Sequence, residues 1–234
     1  PETKKKYLEL LRSKRVDAII LAGSHYVEAA ARDNEYLLEA AKEIPIMLVN
    51  GHLEGHQIYS TVCDDTGAVC SAATDLIKSG HQSILYLYAG NSYSSIQKME
   101  GYKKALSIAG LPFREEMTLL CPKDPDDTQQ LIEHAADSGL VFDAVLAAED
   151  IMAVGAVKYA NKHGIKIPQD LSIIGYNNSI LCRCTNPEIT SVDNKVEALC
   201  TTTVNTLMKV LANGNVPTKA TISAELIKRG TTNF

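Results

Sequence analysis

A few short spacings hold the residues that could do chemistry. Asp64-Asp65 sets two carboxylates side by side, the raw material for acid–base work. Asp65 also opens the apolar run Ala68 to Lys78, so helix capping explains one carboxylate and surface exposure the other. His52 and His56 have the i, i+4 spacing that aligns two imidazoles for a metal ion on a helix, but Gly51 and Gly55 argue against that helix. They read as loop or surface histidines. Six cysteines stand at 63, 70, 121, 182, 184 and 200 without the paired spacing of a zinc site. Cys182-Arg183-Cys184 is a C-x-C rather than a redox C-x-x-C. Scattered free thiols in a chain of this size fit a reducing cytoplasm. No G-x-S-x-G, phosphate-binding Walker loop, H-E-x-x-H or G-x-G-x-x-G occurs, so the reading is a non-enzyme with no metal and no cofactor.

These residues must be held by something, and the composition says what kind of scaffold. With 234 residues, 45% hydrophobic and 22% charged, the chain reads as a globular protein large enough to bury a core without disulfides. The longest apolar runs, such as Ala18 to Ala22, are far short of a membrane span. No signal-peptide pattern opens these residues. Lys+Arg number 23 against 28 Asp+Glu, a formal net charge of -5, so these residues alone should bind DNA poorly. The densest basic cluster, Lys4-Lys5-Lys6, precedes Tyr7, Leu8, Leu10 and Leu11 and reads as the solvated face of an amphipathic helix.

Apolar strands alternate with amphipathic helices throughout. Strands are predicted at 16–21, 46–49, 60–63, 83–88, 117–121, 144–148, 171–176 and 220–228. Helices are predicted up to Leu11 and at 35–43, 68–78, 94–109, 127–138, 150–163 and 197–211, several of them stopped by glycine (Gly80, Gly110, Gly164). Continuous apolar strands separated by helices imply parallel sheets covered on both faces, an α/β class. Two successive series of this kind imply two doubly wound lobes, and ligands of such sheets bind at the carboxyl ends of the strands.

Four blocks carry a family resemblance over essentially the whole chain. They are Val16-Asp17-Ala18-Ile19-Ile20-Leu21; Asp64-Asp65 leading to Leu76-Ile77-Lys78-Ser79-Gly80-His81; Lys98-Met99-Glu100-Gly101-Tyr102 with Ala109-Gly110; and the stretch from Ala147 to Val192. The last contains Glu149-Asp150-Ile151-Met152-Ala153, Ile167-Pro168-Gln169-Asp170-Leu171 and Gly175-Tyr176, and Leu226-Ile227-Lys228-Arg229-Gly230-Thr231-Thr232 closes the series. In this order the blocks resemble the effector-binding core of LacI/GalR transcriptional regulators, a periplasmic-binding-protein-like type I fold.

The resemblance implies two lobes joined by three crossovers, near His81-Gln82, Asp193-Asn194 and Lys219-Ala220. One lobe would comprise residues 1–81 plus 194–219, the other 82–193 plus 220–234. It further implies a cytoplasmic homodimer, most simply a repressor, that responds to a small-molecule effector: a sugar, a sugar phosphate or a related metabolite. Operator DNA would be read by a helix-turn-helix that family members carry before the point where Pro1 falls. A solute-binding protein of the same fold is the alternative.

The resemblance also places the candidate ligand contacts. Sugar-binding relatives hold hydroxyls with an arginine and an aspartate; here Lys98 fills the first slot and Asn177 the second, so the planar fork and the carboxylate are both missing. A phosphorylated or acidic ligand would suit this pair better than an ordinary sugar. Glu149 is expected to contact ligand, with Asp150 beside it as the helix N-cap. Asn194 is expected to reach ligand from a crossover, Tyr93 and Ser94 from the loop after Gly90-Asn91, and Asp65 from the start of its helix. Where relatives carry an aromatic wall, this chain has Pro122-Lys123-Asp124-Pro125.

Overall fold

The computed structural model describes residues 2–234. In chain order the elements are α1 (Glu2–Ser13), β1 (Ile19–Ala22), α2 (Glu35–Ala41), β2 (Ile46–Val49), β3 (Ile58–Cys63), α3 (Asp65–Lys78), β4 (Ile84–Tyr88), α4 (Tyr93–Ile108) and β5 (Thr118–Leu120). There follow α5 (Pro125–Asp137), β6 (Ala144–Ala147), α6 (Asp150–His163), β7 (Ser172–Tyr176), β8 (Thr190–Asp193), α7 (Val196–Leu211), β9 (Lys219–Ile222) and β10 (Glu225–Ile227). No helix among the described residues is long and apolar enough to cross a membrane.

The chain divides into two compact units. The first gathers the chain up to Asp64 with Asn91–Ile96 and Lys195–Ile222, and the second gathers Asp65–Gly90, Gln97–Asn194 and Ser223–Phe234. In the first unit the strand order is β1-β2-β3-β9, all parallel. Ile46 and Leu48 of β2 are buried with Ile19, Leu21 and Ile58 of its neighbours against Leu8 of α1 and Leu37, Ala40 and Ala41 of α2. Apolar side chains on both faces of a strand need a layer on each side, and α7 supplies a second contact to β2, β3 and β9.

The second unit holds a six-stranded sheet in the order β10-β8-β7-β6-β4-β5, parallel except for β10, which runs antiparallel to β8. Its strands show why both faces are dry. Leu85, Leu87, Val145, Ala147 and Ile173 point to one core with Ile132 of α5 and Met152 and Ala156 of α6. The alternate residues Ile84, Tyr86, Leu146, Ile174 and Tyr176 point to another with Val69 and Leu76 of α3 and Tyr102 and Leu106 of α4. Close helix contacts depend on glycine. A Cβ on Gly101 would lie 2.5 Å from the Thr66 carbonyl oxygen, and one on Gly155 would lie 2.7 Å from Thr128 Cβ.

Three points differ from the sequence-based expectation. The segment 65–81, expected with the first unit, packs with the second, because Val69, Ala72, Ala73 and Leu76 of α3 cover Ile84, Tyr86 and Tyr102. The passages between units therefore fall at 64/65, 194/195 and 222/223, with residues 91–96 grouping with the first unit. The single strand predicted over 220–228 is two strands in different sheets, β9 beside β3 and β10 beside β8, interrupted at Ser223-Ala224. Strand β8 was not predicted; Thr-Ser-Val-Asp has one strongly apolar residue, and its burial comes from the strands on either side of it.

Candidate functional site

The carboxyl ends of the parallel strands in the second unit carry polar side chains, on β8, β7 and β6 in neighbouring order and on β5 beyond β4. Asn194 follows β8, Asn177 follows β7, Glu149 follows β6 by one intervening alanine, and Lys123 lies in the loop after β5. Buried apolar strands end there, and their outgoing loops are the first positions free to carry polar groups.

Lys98 sits beneath these side chains rather than among them. It is only 6% exposed on α4, its Nζ donates to the Ala148 carbonyl oxygen at 2.9 Å, and it lies 3.7 Å over the Tyr176 ring centroid. The Tyr176 hydroxyl donates in turn to the carboxylate of Asp65, the first residue of α3. A cation on a ring face beside a buried carboxylate is a compensated arrangement. It ties α4 to the residue after β6, to β7 and to α3. Behind it Tyr86 stacks on Tyr102 at 4.8 Å and 10°. Burial pushes the Tyr102 phenol up to about 12 and that of Tyr86 higher still, and the Tyr86 hydroxyl has no hydrogen-bond partner among the described residues.

The Asn177 loop is braced from below. Asn177 and Asn178 have φ of 102° and 49°, the left-handed region that asparagine tolerates better than most residues. Asp150 holds them there. One of its carboxylate oxygens accepts from Ser179 N at 2.7 Å, the other from the Ser191 hydroxyl at 2.6 Å, and Ser191 Oγ accepts from Asn178 N at 3.0 Å. The expectation that Asp150 caps α6 is therefore corrected: Glu149 occupies the cap position, and the Asp150 carboxylate faces the neighbouring loop instead. Gly175 leaves the space this requires, since a Cβ there would come within 2.4 Å of Asp150 Oδ1. On the other side of the loop Asn194 Nδ2 donates to Asn177 Oδ1 at 3.0 Å. Asn194 is 6% exposed, and its Oδ1 is buried without a donor among the described residues.

Glu149 makes no side-chain cap to α6 and pairs with Lys123 at 2.6 Å. Tyr93 and Ser94 open α4 and group with the first unit, where the Tyr93 ring meets His52 edge-on at 6.3 Å. His52 lies in the β2–β3 loop with Nδ1 3.1 Å from Ser60 Oγ; burial, then the charge of Lys219, lowers its pKa. Among the described residues no group of three His, Cys, Asp or Glu side chains is placed to hold a metal ion. A serine–histidine–aspartate line does exist: His81 Nε2 is 2.9 Å from Ser172 Oγ and Nδ1 is 3.4 Å from Asp143. Ser172 is fully buried at the amino end of β7, so this line clamps the turn before β4 to the sheet and offers no nucleophile to solvent.

Lys123, Tyr176, Ser179 and Ser191 were missed as site residues. Tyr176 ends an apolar strand and reads as core. The others become partners only through folding.

The periplasmic binding protein-like domain family matches residues 73–232. An HTH-type transcriptional regulator of Lachnoclostridium phytofermentans is 53% identical over 232 residues, covering 99% of this chain and 70% of that protein. The chain belongs to the LacI/GalR family. A sugar-binding LacI-family regulator of Escherichia coli, crystallised with phosphate, superimposes with a TM-score of 0.87 at 27% identity, covering 99% of this chain and 82% of that one. The Escherichia coli transcriptional repressor ascG superimposes with a TM-score of 0.83, also at 27% identity, covering 97% and 82%. This chain is the effector-binding core of a LacI/GalR transcriptional regulator, and its relatives favour that reading over a solute-binding protein. Lys98 is thus a buried, engaged lysine and Asn177 an asparagine held in an amide pair.

Proposed function

We propose that this core senses a small metabolite, a sugar, sugar phosphate or related compound, on behalf of a cytoplasmic homodimeric repressor. Asn177, Asn194 and Glu149 contact the effector. Lys98 and Asp65 act through the strand ends they hold. One observation carries the ligand site: the buried, donorless Asn194 Oδ1 at the carboxyl end of a parallel sheet. An unsatisfied buried acceptor costs about 1–3 kcal/mol, which a ligand donor recovers. The phosphate held by the Escherichia coli relative and its description as sugar-binding support the ligand class.

No covalent step is proposed. Asp65, Lys98 and Asp150 are engaged with neighbouring groups, and the buried Ser172 is screened from any substrate. Operator DNA is read by the helix-turn-helix that the relatives' descriptions imply. Two such readers on a two-fold axis match a palindromic operator, and the effector shifts affinity only by its preference for one of two protein states.

A thermal-shift screen of sugars, sugar phosphates and small acids on the purified chain tests the ligand site. At least one compound should raise Tm, and Asn194→Ala or Asn177→Ala should abolish most of that shift. A ligand whose effect survives both substitutions would displace the site from these strand ends. Gel-shift titration of the full-length protein on its upstream region, with and without that ligand, tests the regulatory reading.

A further inference from the structure

The carboxyl-terminal signature Arg229-Gly230-Thr231-Thr232 staples β7 to β8, and one of its side chains reaches beyond that staple. Thr231 Oγ1 accepts from Thr190 N at 2.9 Å and donates to the Ile173 carbonyl oxygen at 2.6 Å, while Ile173 N donates to the Thr231 carbonyl oxygen at 2.9 Å. Thr190 Oγ1 accepts from Arg229 N at 2.8 Å and lies 2.8 Å from Thr232 Oγ1. Gly230 allows the close crossing, since a Cβ there would lie 2.8 Å from Pro187 Cβ. The Arg229 guanidinium takes no part in those bonds. It donates to the Ile189 carbonyl oxygen at 2.8 Å and to Asn178 Oδ1 at 2.6 Å, and Glu188 lies 3.6 Å away. We propose that Arg229 is a positioning residue for effector binding, fixing the turn Asn177-Asn178 through the Asn178 side chain and so setting where Asn177 meets the effector. This rests on the effector site proposed above.

The turn needs such a hold. Asn177 and Asn178 stand at φ of 102° and 49°, two successive residues outside the favoured backbone regions, and such a segment persists only where its surroundings over-determine it. Main-chain amides secure one side of it: Asn177 N donates to the Val192 carbonyl oxygen at 2.8 Å and Asn178 N to Ser191 Oγ at 3.0 Å. Arg229 secures the side chain, from a position 51 residues further along the chain. A guanidinium suits the task because its donors diverge from one rigid plane, so it spans the Ile189 carbonyl and the Asn178 amide at once, whereas an ammonium on a flexible stem defines neither direction. Its bond to Asn178 is charge-assisted, and the side chain is 14% exposed, so water competes weakly for it. A ligand-contacting group must be held within about 0.5 Å of its productive place. A turn free to leave the left-handed region would not hold Asn177 so.

Hydrogen exchange on the full chain tests the turn without any ligand. In Arg229→Met the Asn178 and Ser179 amides should exchange at least tenfold faster, while those of Ile173 and Ile174, held by the Thr231 staple and the sheet, stay within twofold of wild type. Titration calorimetry with inorganic phosphate, D-ribose, cellobiose and glucose 6-phosphate reads binding. A probe that binds wild type should bind Arg229→Met about tenfold more weakly, and Arg229→Lys should recover part of the loss. In Asn178→Gly, where the acceptor is gone and glycine keeps the left-handed backbone, Arg229→Met should have no further effect on either readout. Asn178→Gly alone, which leaves the staple intact, should weaken the same probe and carries the test if Arg229→Met fails to fold. Unchanged exchange at Asn178 and Ser179, or equal acceleration along β7, would reduce Arg229 to a staple residue and overturn the proposal. Probe binding within twofold of wild type in both Arg229→Met and Asn178→Gly would overturn it while leaving the effector site standing. A wild-type chain that binds none of the four probes would overturn the sugar-or-phosphate effector reading, and the positioning role with it.

Discussion

Lys98 shows how a charged side chain is held in a protein interior. Its ammonium is held by the Ala148 carbonyl oxygen and the Tyr176 ring, so Lys98→Ala removes a charge-assisted bond and leaves a buried acceptor behind. The expected cost is about 1–3 kcal/mol, read as a fall in Tm of some 2–4 °C per kcal/mol. An unchanged Tm would mean that the ammonium contributes nothing to this network. Thiols give a second residue-scale prediction. Burial pushes Cys121 and Cys182 up to about 12, the latter also facing Asp150, whereas Cys184 and Cys200 are exposed. A disulfide reagent at pH 8 should therefore modify Cys184 and Cys200 rapidly, and Cys121 and Cys182 only after unfolding, as peptide mapping can show. At this scale the identity of Lys98, Asn177 and Glu149 was legible in the sequence, but the partners that hold them were not. Whether a lysine points at a ligand or at a carbonyl depends on which strand end lies beside it.

At the scale of elements, helix pairs are set by small residues and charge. Gly101 lets α4 approach α3 so closely that an added Cβ would meet the Thr66 carbonyl oxygen at 2.5 Å and Val69 Cβ at 3.0 Å. Gly101→Ala must push the helices apart, with an expected loss of about 1–3 kcal/mol in urea unfolding; a neutral or stabilised variant would contradict this packing. Between α5 and α6, Glu133 is held down to about 2 by the Gln129 amide first and then by Lys162, with His163 adding a third hydrogen bond. Its depressed pKa stabilises the folded state above the ordinary value of 4.5, and that contribution is lost as pH falls from 4.5 towards 2. The Tm difference between wild type and Glu133→Gln should accordingly be largest near neutrality and shrink below pH 4.5; a constant difference would show that the ionised form is not what matters. Most elements were legible because apolar periodicity and glycine stops are local signals. Strand β8 was not, since Thr190 and Ser191 are buried by the strands on either side and carry no apolar pattern of their own.

For the whole molecule, each unit has its own sheet, wholly parallel in the first and parallel but for β10 in the second, and its own core. A ligand at a hundredfold its Kd adds about 2.7 kcal/mol to the stability of the state it binds, so a true effector should raise Tm by several degrees, and a compound that binds without changing operator affinity is not the effector. The α/β class, the alternation of elements and the family resemblance came from the order of residues alone, because burial on both faces writes itself into strand composition and family motifs persist at fixed spacing. The tertiary structure alone decided where the units divide, how residues 219–228 split between two sheets, and which polar groups at the strand ends are already satisfied. Those outcomes depend on contacts between residues far apart in the chain, such as Tyr176 with Asp65 and Glu149 with Lys123, and no local pattern encodes a partner that only folding brings near.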